Sequence, residues 1–387
     1  MSKYALGNLL ELKRGQDLTK NDMCKGTYPV VGSNGIIGMH NVFNVKAPCI
    51  TVGRSGTVGA VHYYNENCWA HNTCLYVSDF KNNNPLYLYY LLKNIDLTKV
   101  ATSTGVPTLN RNFVYPITTT ATANLDEQNN IANILGAIDE KIENNDAISA
   151  QLEALAKTIY DYWFLQFEFP NEEGKPYKSS GGKMVWNEEL KREIPEGWEV
   201  NELCKVFDIT MGSSPKGESL NENHEGIEFY QGSTDFGDLY PVQRVYTTAP
   251  VRLAKAQDIL ISVRAPVGDM NIAMNDCCIG RGLAAVHYRS SLYTWNTLLT
   301  LKPYFDIFNG TGTTFGALTS DGLKQQHIVK PSNIIIEKYI SRISKIELKL
   351  RTITIENQQL TSLRDFLLPL LMNGQVTFKD EVASEEG

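Results

Sequence analysis

Four stretches recur in the same order in the two halves of the chain, and this repetition limits the possible folds more than any other feature. ALGNLLELKRGQDL near the start resembles VNELCKVFDITMGSSPKG from Val200, and YPVVGSNGIIG from Tyr28 resembles IEFYQGSTDFG from Ile227. PCITVGRSGTVGAVHY around Ile50 resembles DILISVRAPVGDMNIA around Leu260. STGVPTLNRNFVYPI around Gly105 resembles GTGTTFGALTSDGLKQQHIVKP around Gly312. The offset is about 210 residues, so the chain reads as two loose copies of one domain. Its 387 residues are too many for one ordinary core and fit two or three domains. The body of each half has short runs of Val, Ile, Thr and Tyr cut by Gly and Asn, which predicts strands and turns. A short helix is expected at 85–93.

Each half ends differently, in a long helical pattern. In 126–168, Ile131, Ile138, Asn145, Leu152 and Ile159 recur every seven residues, flanked by a second row of Leu135, Ile142, Ser149, Ala156 and Trp163. In 337–372 one row is Ile343, Leu350 and Asn357, and the other is Ile346, Ile353, Leu360 and Leu367. Sustained heptads predict a coiled-coil pair, and one Asn near the middle of each seam predicts a fixed register. Charge agrees. The first segment holds nine acids and two bases and accounts for the net charge of −7, while 337–367 holds six bases and four acids. Opposite charge favours pairing. It also leaves the two domains near neutral, so a polyanion such as a nucleic acid is expected to bind the isolated chain weakly.

Several function classes are excluded by what is missing. No GxxxxGK[ST] loop is present, and the glycine run Gly53–Gly59 has the wrong spacing for GxGxxG or GxSxG. There is no HExxH and no Asn-Pro-Pro-aromatic motif of the kind amino-methyltransferases use. His62, Cys68, His71 and Cys74 are zinc-ligand types. However, CWAHNTCLYV reads as one strand, whose i and i+3 side chains face opposite ways. Buried thiols and loop histidines, with no metal, are therefore expected there. Cys277 and Cys278 also read as buried thiols. Seven scattered cysteines, no signal peptide and no long apolar run predict a reduced, cytoplasmic protein with no membrane span.

The positive signals are polar loops flanked by glycine. In the first half these hold Ser33, Asn34, Arg54, Ser55, Thr108, Asn110 and Arg111. In the second they hold Gln231, Ser233, Thr234, Arg264 and Arg281. Arginine can bond both guanine acceptors at once and Asn or Gln can do the same for adenine, while Ser, Thr and backbone amides commonly hold phosphates. Arg54 and Arg264 read as occupying comparable loop positions.

These parts together resemble the specificity subunits of type I restriction–modification systems. IPEGWEVNEL (194–203) resembles the lead-in to a target recognition domain, and KPYKSSGGKMVWNEELKREIPEGW resembles the connector before a second one. NLDEQNNIANILGAIDEKIENN is similar to the family's first spacer helix. The first half departs from the pattern in lacking IPEGW, and the second helix begins with KPSNIIIEKYI in place of a Glu-Gln motif. The resemblance implies an α+β protein with two mixed α/β, strand-rich target recognition domains related by a pseudo-two-fold. Two long antiparallel coiled-coil helices would separate them. The expected boundaries are 1–123 and 197–332 for the recognition domains, 124–169 and 333–374 for the helices, 170–196 for an exposed connector and 375–387 for an acidic tail. Each domain would contact half of a split site in double-stranded DNA, with the helices setting the spacer. Two methyltransferase subunits would bind S-adenosylmethionine, and restriction subunits would use ATP and magnesium. None of that catalysis belongs to this chain, and no cofactor is expected on it. The alternatives are a stand-alone DNA-binding regulator or antirestriction decoy of the same fold and, less consistent with the missing signal peptide, a carbohydrate-binding protein.

Overall fold

A computed structural model of the chain describes residues 1–102, 107–310 and 316–376. The STGV and TGTTF portions of the fourth repeated stretch, and the acidic tail beyond 376, lie outside the described residues. The chain divides into two compact units: Met1–Asn145 with the chain from Glu356, and Asp146–Ile355.

The first unit carries a four-stranded sheet in the order Glu11–Arg14, Cys74–Asp79, Cys49–Gly53, Val61–Tyr64. A three-stranded sheet runs Gly35–His40, Tyr28–Gly32, Trp69–Ala70, and Ser2–Ala5 pairs with Thr118–Ala121. The helix Pro85–Lys93 starts where the Asn84 side chain accepts from the Tyr87 amide and Pro85 takes the first turn, so the free amides are capped and the φ is preset. Leu6, Leu10, Leu12, Ile50, Tyr87 and Leu88 are fully buried. Ile131, Leu135, Leu368 and Leu371 of the long helices close the same core.

The second unit repeats this plan. Its four-stranded sheet runs Asp208–Met211, Leu283–His287, Ile259–Ser262, Met270–Ile272. Glu199–Glu202 pairs with His327–Lys330, as Ser2–Ala5 does with Thr118–Ala121. The helix Ser291–Leu299 is capped by Ser290, which accepts from the Tyr293 amide, just as Asn84 caps its counterpart. The second sheet has five strands, in the order Leu220–Asn221, Tyr246–Thr247, Ile227–Tyr230, Cys277–Ile279, Leu253–Ala254, so a short strand is added at each edge.

The long helices are Leu125–Tyr160 and Asn333–Met372. In the first unit they run antiparallel. Asp139 meets Arg364 at 2.8 Å, and further along Asn145 Nδ2 donates to Asn357 Oδ1 at 2.8 Å and to Glu356 Oε2 at 2.9 Å. Of the seam residues, Ile131, Ile138, Asn145, Ile343 and Leu350 are buried, while Leu152, Ile159, Asn357 and Leu360 are half-buried. In the second unit the pairing is aromatic: Tyr339 lies 4.9 Å from Phe164 and 5.6 Å from Trp163, ring centre to ring centre.

The structure changes three local expectations. The first helix stops at Tyr160, and Asp161–Leu165 forms a π-helical turn that brings Trp163 and Phe164 into the second core. CWAHNTCLYV is two strands, Trp69–Ala70 and Cys74–Asp79, in different sheets and separated by His71–Thr73. The connector forms a hairpin, Met184–Asn187 with Arg192–Pro195. It is anchored because Phe169 stacks on Trp198 at 5.0 Å and on Tyr177 at 4.5 Å, contacts that its Gly, Ser, Lys and Glu content conceals. Among the described residues, no helix is long and apolar enough to cross a membrane.

Candidate nucleic-acid interface

The two units build one loop frame from corresponding backbone bonds. In the first, Gly53 N–H donates to Ala60 O (2.7 Å) and Gly59 N–H to Gly53 O (2.8 Å), closing the loop after strand Cys49–Gly53. Arg54 N–H donates to Thr73 O (2.9 Å), Leu109 N–H to Arg54 O (2.8 Å), and His71 N–H to Val31 O (2.9 Å). In the second, Ser262 N–H donates to Asp269 O (2.8 Å) and Gly268 N–H to Ser262 O (2.9 Å). Val263 N–H donates to Gly282 O (2.9 Å), Leu318 N–H to Val263 O (2.9 Å), and Gly280 N–H to Tyr230 O (2.8 Å). Three remote segments are thus tied around one turn in each unit.

This wiring corrects the sequence alignment by one residue. Gly53 corresponds to Ser262, so Arg54 corresponds to the buried Val263, and Arg264 corresponds to Ser55. The two arginines leave their turns from adjacent positions, Arg54 half-buried and Arg264 exposed. The same bonds match Gly32 with Gln231 and Asn72 with Arg281.

Ser33, Arg54, Ser55 and Thr108 come together. Ser33 and Asn34 are the two-residue turn of the hairpin whose ends are Gly32 and Gly35, and Gly35 has φ +99°, a conformation open to glycine. Ser33 Oγ would lie 3.0 Å from a Cβ placed on Gly56, so the hairpin tip adjoins the Arg54 loop. Ser55 and Thr108 pair as an antiparallel bridge. Two other candidates serve local structure. Asn110 caps Arg111–Val114 by accepting from the Asn112 amide, and Arg111 Nη1 donates to Leu12 O at 3.1 Å. In the second unit Ser233 and Thr234 lie in a 3-10 turn. Gln231 Oε1 accepts from Ser214 Oγ at 2.8 Å, and the same Ser214 Oγ accepts from the Arg281 amide at 3.3 Å.

Partial burial and the nearby charge of Arg14 hold the Arg54 guanidinium below its ordinary pKa. Among the described residues, arginine ion pairs involve Arg244, Arg289 and Arg364, and so none of Arg14, Arg54, Arg264 or Arg281. A cation close to a second cation and lacking a carboxylate suits a phosphate or a base edge. Burial likewise lowers the pKa of His62, which lies beside the hairpin end at Gly35.

The described residues include no group of three or more His, Cys, Asp or Glu able to hold a metal ion. Cys68 Sγ lies 2.6 Å from Cys49 Sγ, and Cys74 Sγ donates to Val31 O and His71 O. His71 instead bonds Thr73 Oγ1 at 2.9 Å.

The family model described as the type I restriction modification DNA specificity domain matches residues 1–154 and 195–363. The chain belongs to the type I restriction–modification DNA specificity family. Its two matched stretches coincide with the two copies of the loop frame. The chain is 35% identical over 261 residues to a protein of Methanocaldococcus jannaschii provisionally described as the MjaX type I restriction enzyme specificity subunit. That match covers 66% of this chain and spans 58% of the relative. The MjaIX specificity subunit of the same organism is 25% identical over 319 residues, covering 76% of this chain and 69% of that one. A type I restriction–modification S subunit from M. genitalium shares the fold, with a TM-score of 0.62 at 19% identity over 98% of this chain and 96% of that one.

Around this loop frame, the sequence reading did not single out Arg14, Asn72 and Thr73. Arg14 ends a strand and precedes Gly15, which lies close beneath His71; a Cβ on Gly15 would fall 2.1 Å from His71 O. The basic Lys13-Arg14-Gly15 step was the available signal. Nothing local marked Asn72 and Thr73, because they matter through bonds to segments far away in sequence.

Proposed function

We propose that this chain is the DNA-specificity subunit of a type I restriction–modification complex. Each unit reads one half of a bipartite site in double-stranded DNA, and the paired helices set the spacer and dock two methyltransferase subunits. S-adenosylmethionine, ATP and magnesium belong to those methyltransferase subunits and to restriction subunits, and this chain is non-catalytic and cytoplasmic. The observation that carries the reading is the doubling of one loop frame, with arginines on both copies that have no carboxylate partner among the described residues, within a chain of this family. Two different readers on one chain suit a split, asymmetric site.

The test is a methylation map of DNA from cells carrying this chain with a partner methyltransferase. One gapped, two-part adenine-methylated motif is expected, and it should vanish when this chain is removed. A continuous motif, or methylation that persists, overturns the proposal. Matched seven-residue insertions after Asn145 and before Asn357 keep the seam in register and lengthen each helix by about 10.5 Å. Both half-sites should survive with the gap grown by about three base pairs, taking 3.4 Å for each. An unchanged gap would remove the spacer role from the helices.

A further inference from the structure

The hairpin tipped by Ser33 and Asn34 displays apolar surface that the first core does not use. Ile36, Ile37 and Met39 are 54%, 44% and 43% exposed, on a strand at the edge of its sheet. Single exposed apolar side chains are ordinary, but a cluster beside a polar, cationic loop marks a contact surface. The register shows which one faces the loop. Val30 pairs with Gly38 and Val31 with Ile36, so Ile37 is the extra residue of a β-bulge, a device that re-aims a side chain. A Cβ placed on Gly32 would lie 3.0 Å from Ile37 Cγ2 and 3.3 Å from Thr73 Oγ1. Ile37 and Thr73 therefore both border the space over Gly32, and Thr73 is the residue whose carbonyl accepts from Arg54 N–H and Ser55 N–H. It stands on the rim of the Arg54 frame, and the absence of a side chain at Gly32 gives it room.

We propose that Ile37 contacts the 5-methyl group of a thymine in the half-site read by the first unit, and so contributes to that unit's specificity. This inference rests on the DNA-specificity reading above. A two-stranded ribbon fits the major groove, where the thymine methyl is the apolar group a base edge offers. Arg14 and Arg54, cations without a carboxylate partner among the described residues, supply the charge complementarity that would hold the backbone alongside. The second unit has Gln231 at the place of Gly32, so this apolar contact is specific to the first.

The complex of full-length chain and methyltransferase subunits is tested on duplexes carrying its methylated motif. Each thymine of the first half-site is replaced in turn by 2′-deoxyuridine, which lacks only the methyl group. One position is expected to weaken binding roughly three- to fivefold, the worth of one buried methyl. The Ile37→Ala complex should bind the normal duplex more weakly by a similar factor and be indifferent to deoxyuridine at that position, with Ile37→Val intermediate. Unchanged binding through the second half-site shows that the variant is folded. If no thymine is sensitive, if Ile37→Ala keeps the full sensitivity, or if Ile37→Ala instead loses its methyltransferase partner, the inference fails while the DNA-specificity reading stands. Failure of the unaltered complex to prefer any motif removes that reading itself, and this inference with it.

Discussion

The two units differ in side chains where their backbone hydrogen bonds correspond. In the first, the rim of the loop frame is Gly32 with Ile37 lying across it; in the second, the same backbone position is Gln231, tied to Ser214 through its amide oxygen. Arg54 corresponds to Val263, and Arg264 to Ser55. An apolar group and a guanidinium in one copy face an amide and a displaced guanidinium in the other. The frame is held by backbone N–H and C=O groups, which every such residue supplies, so its side chains are free to differ. A scaffold of that kind can change what it displays without changing its fold.

The largest effect should come from attacking the frame itself. Gly15 and Gly212 are equivalent, and a Cβ on either would fall 2.1 Å from a carbonyl oxygen, that of His71 or of Gly280. Either alanine variant must push the loop open, and a loss of about 3 kcal/mol is expected in its own unit. Limited proteolysis during thermal unfolding would show which unit opens. Tolerance at one glycine and collapse at the other would break the equivalence of the two frames.

Side chains displayed on an intact frame should matter less and only locally. Arg54→Ala should weaken selection of the first half-site and Arg264→Ala that of the second, each by roughly 1–3 kcal/mol. Methylation maps of the two variants decide this. Relaxation of the opposite half-site would undo the assignment of one reader to each unit.

The helix pairing differs between the units as well. In the first unit it is polar: buried Asn145 donates to Asn357 and Glu356 and accepts from Lys141 at 3.1 Å. Asn145→Leu strands those partners and should cost about 1–3 kcal/mol, much of it regained when Asn357→Leu is added. Denaturant unfolding of the single and double variants measures this, and no recovery in the double would refute a paired polar node. In the second unit the pairing is aromatic, and the Tyr339 hydroxyl reaches Ala156 O only at 3.4 Å. Tyr339→Phe keeps the ring and loses a long hydrogen bond, so no more than about 0.5 kcal/mol should be lost.

What could be read along the chain is what repeats in it. The heptad rows through Ile131 and Ile343 made the long helices legible, because a helix face is set by spacing within a few turns. The order of the four matched stretches likewise revealed two copies of one domain. The tertiary structure alone decided the site. Arg54 is positioned by Thr73 and Leu109, Ile37 by Gly32 and a bulge, and Gln231 by Ser214. In each case the deciding bond joins segments remote in sequence, or depends on a one-residue shift of register that moves a side chain to the other face. An alignment of arginine to arginine could not detect that shift. The hydrogen bonds place Arg264 one residue further along its turn, because backbone geometry, and not side-chain identity, is what the two halves share.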